Sequence, residues 1–135
     1  MKIQNLLLVL FLLPLFASAQ ENETADTLKI NGVEKGDTLE YELIVFDPGF
    51  NSWYNMVQQP MSFYSQDYLE MWNERLVRQW NNQVPASQRS NCLSNTYIDY
   101  DPNINYGMEL NHKLFYFFRY IDEKCGVFYT TPSRW

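Results

Sequence analysis

From Asn105 to Cys125 the chain reads NYGMELNHKLFYFFRYIDEKC, the longest stretch in which apolar residues keep one helical period. Leu110, Leu114, Phe117, Phe118, Ile121 and Cys125 fall on one face. Glu109 in the first turn, Lys124 in the last and Gly126 just beyond agree with the helix dipole and with a left-handed cap. The pattern predicts a helix that stops at Cys125 or Gly126. His112, Tyr116, Arg119, Tyr120 and Glu123 share the opposite side at spacings of three and four. Either another layer covers that second face, or Tyr116 and Tyr120 form an exposed patch for a partner.

A second amphipathic period runs from about Gln66 to Asn82, with Tyr68, Leu69, Trp72, Leu76 and Trp80 on its stripe. Ser65 has the chemistry of its N-cap, and Glu74 precedes Arg78 by the four residues that favour a surface ion pair. Alternation marks Leu39 to Phe46 as a strand, its second half apolar on both faces as in a central strand. Phe50 to Val57 is short and aromatic and reads as one or two helical turns. Asn31-Gly32 offers a hairpin turn with weak flanks, Tyr97 to Tyr100 reads as a second short strand, and Val127-Phe128-Tyr129 as an edge strand. Asn81 to Thr96 is a polar excursion. The predicted fold is α+β in β-α-β-α order: a small two- to three-stranded sheet packed against two long amphipathic helices.

The apolar run from Leu6 to Phe16, preceded by Lys2 and followed by Ala17-Ser18-Ala19, has the form of a secretory leader and predicts cleavage after residue 19. The run is short for a membrane span, and Gln20 rather than cysteine follows the cleavage site, so neither a transmembrane helix in the mature chain nor a lipid anchor is expected. Residues 20–38 read as a flexible acidic arm, 39–129 as one globular domain and 130–135 as a tail. Net charge is −6, with ten acids against two bases between residues 20 and 70, which excludes the clustered cations that nucleic acid requires. The two cysteines, Cys92 and Cys125, are either bridged, which would stabilise an exported chain by roughly 3–4 kcal/mol, or a loop thiol and a small core residue.

Two segments repeat one another: Phe46-Asp47-Pro48-Gly49-Phe50-Asn51 and Tyr100-Asp101-Pro102-Asn103-Ile104-Asn105. If the strands before them are parallel neighbours, Asp47, Asn51, Asp101 and Asn105 emerge at one sheet edge and present oxygens and amides to a ligand. As caps, the aspartates accept from free backbone amides while Pro occupies the first helical position. Asp99, Asp101 and Asn103 imitate the opening of a calcium loop, but Ile104 stands where Gly is needed and Leu110 where the bidentate Glu belongs. With His112 the only imidazole and no phosphate loop or serine elbow, the residues identify no catalytic group, metal site or cofactor. Aromatic residues make up 17% of the chain, a supply that serves either a dense core or carbohydrate stacking.

YELIVFDPGF (41–50), YSQDYLEMWNERLVRQWN (64–81) and YDPNINYGMELNHKLFYFFRYIDEKCG (100–126) together resemble a domain-of-unknown-function family of small exported proteins from Bacteroidetes-type bacteria. The resemblance implies lineage and an envelope location, periplasmic or surface, and no activity. In that lineage Asp26-Thr27-Leu28 and Asp37-Thr38-Leu39 resemble the acceptor of periplasmic O-glycosylation. The resulting reading is a non-enzymatic exported envelope protein that binds a protein or glycan partner. The alternative is a small hydrolase-like or metal-dependent enzyme using the paired Asp-Pro-x-x-Asn motifs.

Overall fold

A computed structural model describes residues 28–83 and 96–135. The chain runs β1 (Leu28–Lys35), β2 (Thr38–Val45), α1 (Pro48–Val57), a 3-10 turn (Met61–Phe63), α2 (Gln66–Gln83) and α3 (Gly107–Cys125). The class is α+β, a two-stranded antiparallel sheet packed against helices.

The strands form a hairpin, not a crossover. Lys35 pairs with Thr38 across Gly36-Asp37, and Gly36 takes φ 63°, the positive value that the first central residue of a tight two-residue turn requires. The turn therefore lies five residues beyond Asn31-Gly32, and residues 28–35, expected in the arm, are strand β1. Pairing Leu28 with Val45 and Ile30 with Leu43 puts one apolar face on the core, so Leu43 and Val45 are buried, whereas Leu39 and Phe46 stay about half exposed. A two-stranded sheet offers no central strand, which is why β2 is not buried on both faces.

Tyr97 to Tyr100 and Val127 to Tyr129 are not strands, because side chains of α2 take the ladder's place. The Asn81 carboxamide accepts from Ile98 N–H and donates to Ile98 C=O, both at 2.9 Å. Buried Gln79 donates to Thr130 C=O and accepts from the N–H groups of Tyr129 and Thr130, while Gln83 donates to Val127 C=O. Backbone groups satisfied by fixed amides have no need of a neighbouring strand. The β-α-β order with parallel strands is thus replaced by a hairpin followed by three helices.

α3 is the centre of the molecule. From Leu110 to Ile121 every residue is buried except the half-buried Lys113 and Arg119, as suits a helix covered on all sides. Of its predicted stripe, Leu110, Leu114, Phe117, Phe118 and Ile121 are core, while Cys125 at the helix end is only half-buried. The helix ends as predicted, with Gly126 at φ 58° and its N–H bonded to Asp122 C=O. α2 begins at Gln66, its Tyr68 N–H bonded to Ser65 Oγ, and carries the Glu74–Arg78 pair at 2.5 Å. Its buried line includes Asn73 in place of the half-buried Trp72, because a polar pair described below sits at the α2–α3 contact.

Candidate functional site

The second face of α3 is covered by α1. Asp47 opens α1: its Oδ1 accepts from Gly49 N–H at 2.8 Å and from Tyr120 Oη at 3.0 Å, and its Oδ2 from Lys124 Nζ at 3.3 Å. These partners hold the carboxyl below its ordinary range, although partial burial works the other way. At the far end of α1, Gln59 is gripped by two α3 side chains one turn apart: its N–H donates to Tyr116 Oη at 2.7 Å, and its C=O accepts from His112 Nε2 at 2.9 Å. α1 therefore lies antiparallel on α3, pinned at both ends. Between the pins Phe50 stacks on Tyr54 at 5.5 Å and meets Phe117 and Tyr120 edge-on.

Tyr116 and Tyr120 are buried, so they form no exposed patch; the covering layer is α1, whose Phe50, Trp53 and Tyr54 pack on their rings. His112, on the same second face, is fully buried. Since Gln59 C=O can only accept, Nε2 carries the hydrogen and Nδ1 accepts from Tyr54 Oη at 2.7 Å. Burial lowers the imidazole below its ordinary 6.5 and pushes Tyr54 up to about 12, so both are neutral at pH 7. An imidazole with both nitrogens committed to the fold has no free position for a substrate proton.

The two Asp-Pro segments do not meet. Asp47 stands at the C-terminal end of α3, and Asp101 with Asn105 precedes its N-terminal end, separated by a 19-residue helix that spans roughly 28 Å. Asp47 is a helix cap as expected. Asp101 caps a turn instead: its Oδ1 accepts from Asn103 N–H and Nδ2, each at 2.8 Å, and Ile104 N–H closes on Asp101 C=O. Asn105, not Asp101, reaches the start of α3, accepting from Gly107 N–H and from Gln66 Nε2, both at 3.0 Å. Asn51 is exposed, and its side chain makes no hydrogen bond among the described residues. Those residues contain no group of three His, Cys, Asp or Glu that could hold a metal, and no helix long and apolar enough to cross a membrane.

Two stability predictions follow from this geometry. Asp47→Ala is expected to cost about 1–2 kcal/mol, and Asp101→Ala less than about 1 kcal/mol, in urea unfolding, because only the first removes a helix cap. A Cβ on Gly49 falls 2.8 Å from Tyr120 Oη, so Gly49→Ala should destabilise. Adding Tyr120→Phe should recover part of that loss by removing the clashing oxygen, and a double-mutant cycle with no coupling would contradict the contact.

One cleft, of about 470 Å³, opens between the sheet and the segment before α3, lined by Leu28, Lys29, Ile30, Tyr41, Thr96, Tyr97, Ile98, Asp99, Ile104 and Tyr106. Tyr41 meets Tyr106 edge-on at 4.9 Å, Tyr106 stacks on Tyr100 at 4.8 Å, and Tyr97 is 67% exposed. Sequence reading missed this cleft; the signal was Asn81, whose clamp on Ile98 fixes the far wall. Of the cysteine pair, Cys125 ends α3 and is not a free thiol, while Cys92 lies outside the described residues, as do the leader and Asp26-Thr27. The second acceptor-like triplet lies at the start of β2, where the Thr38 hydroxyl donates to Lys35 C=O.

No curated protein and no solved structure matches the chain. A family model does, over residues 5–133, nearly the whole chain, and its description is a family of unknown function; the protein belongs to that family, DUF6146.

Proposed function

We propose that this is a non-enzymatic exported envelope protein, periplasmic or on the cell surface, that binds a protein partner through the cleft between β1 and residues 96–106. One observation carries the reading. The side chains with chemistry to offer, His112, Asp47, Tyr116 and Tyr120, are spent on docking α1, while the cleft is left open with exposed Tyr97 at its rim. The alternative enzyme needs the Asp-Asn pairs to converge, and they sit at opposite ends of α3. Buried Tyr116 and Tyr120 offer no ring face to a glycan.

The test places a photo-crosslinking phenylalanine at Tyr97 and, as a control, at Met56, which is 79% exposed on α1. Irradiation in the native envelope should give a discrete protein adduct at 97 and none at 56. No adduct at 97, or the same adducts from both sites, would contradict the proposal. Export is checked by intact mass, which should show a mature chain beginning at Gln20; retention of residues 1–19 would refute it. For an oxidised exported chain, non-reducing peptide mapping should join Cys92 to Cys125, and two freely alkylated thiols would exclude the bridge.

A further inference from the structure

We infer that the cleft is a strand-addition site, taking one extended segment of the partner protein between β1 and Tyr97–Asp99. This rests on the binding reading above and adds its mode and the chemistry of its ligand.

Both walls of the cleft are backbone edges. In the hairpin, Lys35 and Thr38 flank a two-residue turn and so exchange hydrogen bonds, and alternation along the register makes Ile30–Leu43 and Leu28–Val45 the non-bonded pairs. An independent contact agrees: Leu43 C=O points out of the hairpin, to Lys113 Nζ at 2.9 Å. The N–H and C=O groups of partly exposed Ile30 therefore point out on the other side, beside the cleft that Ile30 lines. On the opposite wall Ile98 sends both its N–H and its C=O to the Asn81 carboxamide on α2. A residue whose two backbone groups point the same way is extended, so those of its neighbours Tyr97 and Asp99 point away from α2. These edge groups have no hydrogen-bond partner among the described residues, and both edges line the same opening.

An unpaired edge on each side calls for a ligand with donors and acceptors alternating on both of its own sides, which is an extended peptide. The floor decides the side chains. Leu28, Ile98 and Tyr106 are buried beneath the opening and Ile104 is half-buried, so alternate residues of the guest must be apolar. The charged lining residues are Lys29 on one wall and Asp99 on the other, so a guest with an acid beside the first and a base beside the second is favoured over one of high net charge.

The test uses the ¹⁵N-labelled mature chain with the capped peptide Thr-Val-Thr-Val-Thr-Val and its analogue N-methylated at alternate amides. Saturating peptide should slow amide exchange at Ile30, Tyr97 and Asp99 at least about tenfold, leaving Asn31, already paired with Glu42, unchanged. The methylated analogue should have no effect. Ile30→Pro, which removes an N–H that the hairpin does not use, should abolish binding without unfolding the protein. Equal binding of both peptides, or no response at millimolar peptide, would overturn strand addition. So would slow exchange at Ile30 and Asp99 in the free protein, since the edge would then already be occupied. A Tyr97 adduct together with any of these results leaves the protein-binding proposal standing and removes only this mode.

Discussion

Replacing His112 with leucine should destabilise the protein by about 2–4 kcal/mol in urea unfolding, because it strands two polar partners in the α1–α3 contact. Tyr54 Oη loses its acceptor at 2.7 Å and Gln59 C=O its donor at 2.9 Å. The same imidazole imposes a pH dependence with a definite sign. Burial sets the folded value below the ordinary 6.5 that holds in the unfolded chain, so between the two the unfolded state binds more protons. Its stabilising contribution is complete above about pH 6.5 and is lost as pH falls through 6.5 toward the folded value, with a slope of up to about 1.4 kcal/mol per pH unit. In His112→Leu that slope should vanish from the window just below 6.5. Persistence of the full slope in the variant would assign it to other groups.

The second large effect is expected at the α2–α3 contact, where two buried asparagines are not equivalent. Asn111 is the hub: its Oδ1 accepts from Asn73 Nδ2 at 3.0 Å and Tyr100 Oη at 2.8 Å, and its Nδ2 donates to Gly107 C=O at 2.9 Å. Asn73 donates to Asn111 Oδ1 and C=O, but its own Oδ1 has no partner among the described residues. Asn111→Leu should therefore cost about 2–4 kcal/mol, leaving the hydroxyl of half-buried Tyr100 and the Asn73 amide without their acceptor. Asn73→Leu removes an orphaned acceptor along with its donor and should fall within about 1 kcal/mol of the parent. Equal losses at both positions would contradict the hub.

The long helices were legible because each carries one strong 3.6 period with end signals at Ser65, Lys124 and Gly126, and local chemistry sufficed to place them. The strands beyond β2 were misread for a nonlocal reason. Val127 to Tyr129 and Tyr97 to Tyr100 have strand-like composition, yet whether they pair depends on Gln79, Asn81 and Gln83, distant in sequence and unremarkable on a helix. The second face of α3 is legible as a set of side chains, but one helix's pattern cannot say what covers it. Phe50 and Tyr54 do so because Asp47 and Gln59 pin the ten-residue α1, whose turns are legible in the sequence while its docking on α3 is not. The Asp-Pro repeat shows the same limit. Both copies make the Asx bond two residues on, but only Asp47 is followed by residues that bury themselves on α3 as a helix.

The chain's one imidazole belongs to the core, its two nitrogens bonded to Tyr54 and Gln59. Long-range ¹H–¹⁵N correlation spectra of His112 between pH 5 and 8 test it most directly. The prediction is a neutral ring with hydrogen on Nε2, an Nδ1 shift typical of an acceptor, and a midpoint below 6.5. A ring that titrates at or above 6.5 with averaged nitrogen shifts would show a solvent-accessible histidine and contradict the claim.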